Sequence, residues 1–313
     1  MRTQLPFALL AAIAFACMMP AAPAQAQRVF VGATGSDSNP CTFASPCRSF
    51  QHAHDVTSAN GEIDVLDPAG YGPITITKGI SIQGHGFSGV SVPDSSIGIT
   101  ITASSADAIH LNGLLIEGGL IGLDGIVFNS GASLTIENCI VRDMKGNGLV
   151  FLSTATTAQS LAVSNSYFND NARIGFDVQL NSSGGITAAI DRTNFSGNGT
   201  GLFVLGAVGT GALTVSVTDS VAANNSSAGF MVQSATSHSV SNLSLTHSLA
   251  EGDSTGVEAS GANATLWLAQ STVTGNSAHG FVATSSGIIN SFGDNYFAAN
   301  GATTGSLTNV VKQ

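Results

Sequence analysis

The sequence repeats itself. Leu134-Thr135-Ile136-Glu137-Asn138 returns 27 residues later as Leu161-Ala162-Val163-Ser164-Asn165. The Val163 column then continues through Ile190, Val217, Leu245 and Leu268, at spacings of 27, 27, 28 and 23. Six residues beyond the Asn138 column runs a second polar column: Asn171, Asn198, Asn225, Asp253, Asn276 and Asn300. Three or four residues later stands a glycine, at Gly175, Gly201, Gly229, Gly256 and Gly280, with earlier members at Gly98, Gly125 and Gly148. A fixed period of this length is the mark of a stacked architecture, because one row cannot bury its own apolar side.

Each row holds two or three apolar segments of three to five residues, with alternating polarity and no helix-length periodicity. Asn and Gly stand between them, the residues that tolerate left-handed backbone at corners. The reading is a solenoid of parallel strands, each pairing with its counterpart about 4.8 Å above. Composition agrees. Only 9% of the 313 residues are charged while Gly fills 37 positions, as expected where inward positions are apolar and like charges would repel at strand spacing. Nine Lys and Arg against nineteen Asp and Glu give a net charge of −10. That balance argues against nucleic acid, whose phosphates need clustered cations.

Val29-Phe30-Val31, Gly35-Ser36-Asp37-Ser38-Asn39-Pro40, Pro46-Cys47-Arg48-Ser49-Phe50, Gly61-Glu62-Ile63-Asp64-Val65 and Ile80-Ser81-Ile82-Gln83-Gly84-His85-Gly86 precede the regular rows. With the repeat, they resemble secreted bacterial proteins of the right-handed parallel β-helix, pectin-lyase-like superfamily, over roughly residues 28–305. The resemblance implies an all-β fold, a single-stranded right-handed parallel β-helix of about nine to ten coils. It also implies that the polysaccharide lyases and hydrolases of this fold set the chemistry to look for. Residues 49–59, with Phe50, Ala53 and Val56 near helical spacing, read as a short helix capping the N-terminal edge. The expected layout is a leader at 1–26, a cap and first coil at 27–72, repeats at 73–300, and a tail at 301–313 that caps the far end.

The leader is read from Arg2, the thirteen apolar residues Phe7 to Met19, Pro20 and the cleavage pattern Ala24-Gln25-Ala26. It predicts export to the periplasm or medium, cleavage after Ala26, and no transmembrane helix in the mature chain, since thirteen residues fall short of a span. In an oxidising compartment Cys41 and Cys47 are expected to form a disulfide. Cys139 sits in a column of small polar residues, Ser166, Thr193, Ser220, Ser248 and Ser271, and reads as a buried thiol.

The outward position after the glycine column reads Thr100, Val127, Val150, Asp177, Phe203, Met231, Glu258 and Val282. Asp177 and Glu258 stand three rows apart, roughly 14 Å, too far to share one glycosidic bond. Asn-Thr-Asp, Asp-Pro-His and the Gly-Gly-x-Gly-x-Asp calcium repeat are absent. Gly84-His85-Gly86 is similar to a polygalacturonase tripeptide but lies in the first rows, where a turn is the simpler reading.

Asp143 and Asp170, 27 apart, should stack with Arg142, Lys145 and Arg173 nearby, as a cation or acidic-sugar site or as a turn with local ion pairs. Weak catalytic candidates are therefore Asp143, Asp170 and Asp177. Trp267 tops a column of small residues, Thr135, Ala162, Ala189, Ser216 and Ser244; it either stacks on a sugar or is covered by the tail through Val310 and Val311. Ligand candidates are Trp267, Phe203 and Arg173. No histidines pair at ligand spacing, so neither metal nor cofactor is expected. The leading functional expectation is a secreted binding or structural surface protein contacting carbohydrate or cell envelope; the alternative is a lyase or hydrolase of the same fold.

Overall fold

The structure, a computed structural model, describes residues 27–311. The expected leader lies outside the described residues. Strands stack in parallel into two sheets, one of ten strands and one of nineteen. A typical row runs Gln159–Ser164, turns into the short strand Tyr167–Asn169, crosses to Ile174–Leu180, and returns as Ile186–Asp191. Register holds the repeat in space. Ala162 faces Thr135 below and Ala189 above, and Phe176 lies between Leu149 and Leu202. The result is an all-β right-handed parallel solenoid of about eight turns. That is slightly fewer than expected, because Arg28–Val31 leads into a loop and helix, and Leu307–Asn309 begins a turn without completing it.

Two corners explain the polar columns. At the first, Asn138, Asn165, Arg192, Asp219, His247 and Gln270 all take φ between 44° and 54°. At the second, the left-handed residues are Asp143, Asp170, Gly197, Asn224, Gly252 and Gly275. The Asn171 column lies one residue further on and has another role. Asn198 Oδ1 accepts from the Asn171 N–H and side-chain amide, both at 3.0 Å, and Asn225 Oδ1 accepts from the Asn198 N–H at 2.9 Å. A buried ladder of amides thus joins successive turns. The glycine column also differs from the corner role expected of it. Gly175 has ordinary φ, and a Cβ there would meet Gly201 O at 2.8 Å and the Asn198 side chain at 2.7 Å. Close approach, not left-handed backbone, requires glycine.

Inside, aromatic rings continue the stacking. Phe128 and Phe151 lie parallel with centroids 4.2 Å apart. Phe168, Phe176, Phe195 and Phe230 form edge-to-face contacts and are fully buried. Each such ring contributes roughly 2–3 kcal/mol by removal from water.

The N-terminal edge is closed. Phe30 N–H donates to Cys41 O and Cys47 N–H donates to Phe30 O, so the loop closed by the Cys41–Cys47 disulfide covers the first strand. The helix Phe50–Val56, capped by Ser49 Oγ accepting from His52 N–H, buries Phe50, Ala53 and His54. Its Gln51 Oε1 accepts from Thr75 N–H of Ile74–Ile76, the first strand in the ten-stranded sheet, and His54 Nε2 accepts from Thr77 N–H just beyond it. The segment after Gly301 does not cap the opposite end as expected. Ala302–Thr304 and Leu307–Asn309 extend the two sheets by one more rung.

Candidate functional site

On the ten-stranded sheet the outward column is as the spacing implies. Val127, Val150, Asp177, Phe203, Met231, Glu258 and Val282 pair in succession. Asp177 is buried, with one carboxylate oxygen accepting from Gln179 Nε2 at 2.6 Å and the other without a hydrogen-bond partner. Burial pushes this carboxyl up to about 6, opposed by the Gln179 hydrogen bond and the Arg173 charge and reinforced by Asp124. Glu258 is also raised by burial, with His279 acting against it. Three strand spacings separate the two acids, roughly 14 Å, so they cannot act together on one bond. Phe203 stands half-buried directly above Asp177.

Asp143 and Asp170 occupy equivalent corners in adjacent turns, with φ of 57° and 56°. Asp143 lies 3.6 Å from Arg142, whose guanidinium also reaches Glu117 at 3.2 Å. Arg173 is exposed, and its charge acts on Asp177; among the described residues no ion pair joins it to Asp143 or Asp170. The pair is brought together as a turn, while the arginine belongs electrostatically with the neighbouring sheet.

The opposite long face carries a different feature. Thr135, Ala162, Ala189, Ser216, Ser244 and Trp267 form one outward column through consecutive register pairs. Five spacings make a strip roughly 24 Å long. A shallow cavity of about 350 Å³ follows it from Thr135 to Ser216, edged by Glu137 and Asp191. A second, of about 390 Å³, lies between Ser244, Thr246, Ala269, Trp267 and Phe292. Trp267 and Phe292 are stacked, with centroids 6.1 Å apart and planes 27° from parallel. The C-terminal segment does not fold over them: Thr308 pairs with Asn290, the residue next to Trp267 in the column, and Val311 is 88% exposed. Phe292 was not singled out from sequence, although its place in the row after Trp267 was a usable signal.

Two other groupings arise only in three dimensions. His85, at φ 57°, lies 2.6 Å from Asp64 and stacks beside the exposed Phe87. His52 comes within 4.8 Å of the Cys41 and Cys47 sulfurs, which are bonded to each other and so are not free ligands. Cys139 is buried among backbone carbonyls and amides, and burial pushes its thiol up to about 12.

The model of the right-handed beta helix region matches residues 124–297, more than half of the chain. The chain belongs to the right-handed β-helix family. No curated protein matches the sequence. Among solved structures, a pectate lyase Pel9A superposes with a TM-score of 0.54 at 18% identity, covering 90% of this chain and 78% of that one. The A-module of the mannuronan C-5 epimerase AlgE4 from Azotobacter vinelandii gives 0.45 at 14% identity, over 81% and 88%. At such identities the likeness is one of fold. No helix among the described residues is long and apolar enough to cross a membrane, and the disulfide is compatible with export.

Proposed function

We propose that this β-helix protein is exported and binds polysaccharide along the strip from Thr135 to Trp267. One observation carries the reading: a partly exposed indole, stacked on Phe292, stands at the end of a straight run of small side chains. A sugar ring presents an apolar face that stacks on an aromatic platform, while threonine and serine hydroxyls along the strip meet its hydroxyl groups. The strip has no cationic floor, and Glu137 and Asp191 edge it. A neutral glycan therefore suits it better than a polyuronate. Tryptophan fluorescence titrated with neutral glycans, polygalacturonate and alginate tests this, since Trp267 is the only Trp. Saturable binding of a neutral glycan is expected, and isothermal titration calorimetry, which needs no fluorophore, should find it weakened about tenfold or more in Trp267→Ala, from a stacking contribution of about 1.4 kcal/mol. Unchanged affinity in that variant refutes the assignment.

A second reading rests on Asp177, whose buried, unpaired oxygen and raised carboxyl suit a general acid. It implies a lyase or hydrolase whose remaining groups come from the surrounding turns. Depolymerisation of any of these glycans, abolished by Asp177→Asn, would establish it. Activity lost instead in Asp143→Ala or Asp170→Ala would move the site to the corner.

A further inference from the structure

The first rows carry a device that the later rows lack. After Gln83 pairs with Asn112, four residues, Gly84–Phe87, stand where the next row has Gly113 alone, before Ser88 resumes the register with Leu114. Such insertions bend a strand and re-aim its side chains. This one turns through the left-handed His85 and sets His85 and Phe87 side by side, ring centroids 5.8 Å apart and planes 28° from parallel. His85 Nε2 lies 2.6 Å from Asp64 Oδ1, which anchors the pair to the row below. Phe87 remains 41% exposed. Beside it lies a shallow cavity of about 340 Å³, walled by Phe87, Pro68 and Leu115 and lined also by Ser91 and Glu117. Its floor is Gly70 bridged to Gly89. Within 4 Å a Cβ at Gly70 would meet only Ser91 Oγ, at 3.8 Å, and one at Gly89 would meet nothing nearer than 3.5 Å. Neither glycine has left-handed φ. Unlike Gly175, they are required neither by crowding nor by backbone; their effect is to leave the hollow empty.

We propose that this hollow is a second carbohydrate site, which takes one ring of a neutral glycan on a different face from the strip. The exposed ring of Phe87 offers a stacking platform, while the Ser91 hydroxyl and the Glu117 carboxylate accept hydrogen bonds from sugar hydroxyls. The cavity lies at the small end of ligand pockets, which suits a single ring. Among the described residues, Glu117 is the one charged side chain lining it. Its neighbour Arg142, 3.2 Å away, is shared with Asp143, so the site offers no free cation to a uronate. The hollow is defined by its own geometry; the choice of ligand rests on the neutral-glycan reading of the strip. From His110, in the row of Leu115, the column climbs through Thr135 to Trp267 in six strand spacings, roughly 29 Å along the axis. The corner at Gly113 also lies between hollow and strip. A short oligosaccharide therefore cannot fill both, and one molecule holds two chains.

Isothermal titration calorimetry of the full chain with cello-, xylo-, manno- and maltotetraose tests the proposal. The expected result is a probe that binds the wild type at two sites, with one site left in Trp267→Ala and one left in Gly89→Val. Valine at position 89 fills the hollow without crowding and suits a strand, so the thermal midpoint should not fall. In the Trp267→Ala background, Phe87→Ala should weaken the remaining site about tenfold. A single wild-type site that disappears in Trp267→Ala overturns the hollow and leaves the strip standing. Two sites undiminished by Gly89→Val also overturn the hollow. Binding that survives unchanged in Trp267→Ala and disappears in Gly89→Val supports the hollow and refutes the strip. No binding of any of these probes overturns both. If Gly89→Val lowers the midpoint, Phe87→Ala, at an exposed position, decides in its place.

Discussion

Asp253→Asn should stabilise the protein, and by an amount that depends on pH. Asp253 is 0% exposed and replaces asparagine in the amide ladder. Its Oδ1 accepts from the Asn225 N–H and side-chain amide, both at 2.8 Å, and its own N–H donates to Asn276 Oδ1 at 3.0 Å. In neighbouring turns the amide nitrogen donates to a carbonyl of the turn before: Asn198 to Phe168 at 2.8 Å, Asn225 to Phe195 at 2.9 Å, Asn276 to Ala250 at 3.1 Å. Asp253 offers Oδ2 there instead, and that oxygen has no partner. Burial pushes its carboxyl from 3.8 up to about 7, against the pull of the Asn225 bonds.

The folded state therefore holds a proton that the unfolded chain has released above pH 4. Stability falls from about pH 4 to 7 and levels off above. Three pH units at 1.36 kcal/mol each bound the loss at about 4 kcal/mol, which water penetration and local relaxation reduce to about 2–4. Asparagine does not titrate and restores the missing donor, worth about 1 kcal/mol. The variant should gain about 1 kcal/mol at pH 4 and about 3–5 at pH 8, the latter raising Tm by several degrees. Circular dichroism melts of both proteins from pH 4 to 9 measure this. A Tm difference that stays constant across that range would refute the reasoning.

Other expectations follow from the same contacts. Asn198→Ala removes the acceptor for both Asn171 donors and the side-chain donor to Phe168 O; urea unfolding should show a loss of about 2–4 kcal/mol, and a loss below 1 would mean the ladder is energetically idle. Cys41→Ser/Cys47→Ser opens a loop with a sequence separation of six and should cost about 2 kcal/mol, read from the same curves. Cys139 should not react with DTNB in the native protein at pH 8, because the buried thiol is raised to about 12. It should react in guanidinium, with Cys139→Ser as the reference. That variant should fold normally, since Ser166 and Ser220 already fill the column, and rapid native labelling would contradict the burial.

The fold was legible because a solenoid writes its geometry into local spacing. When every contact joins residue i to a counterpart about 27 positions on, as Ser164 to Asp191, the sequence period is the contact map. Column membership followed too: the outward series through Asp177 and Phe203, the small-residue strip below Trp267, and the Cys139 column all appear in register as spaced. What a period cannot carry is the job done at each position. The asparagine column looked like corners and is a buried ladder, while the glycine column looked like turns and is a set of close approaches, because φ and contact distance have no periodic signature.

Groups assembled across unequal rows were harder to read. Phe292 against Trp267, His85 against Asp64, and the Arg173 charge acting on Asp177 depend on side-chain direction. The two ends escape periodic reasoning for the plainest reason, since a terminal row lacks a neighbour on one side. Sequence alone determined that this chain stacks, which side chains face inward, and that charge must be scarce. Only the tertiary structure decided that the indole stacks on Phe292 with Thr308 two places along its column, and that burial raises the Asp253 carboxyl where asparagine would need no proton.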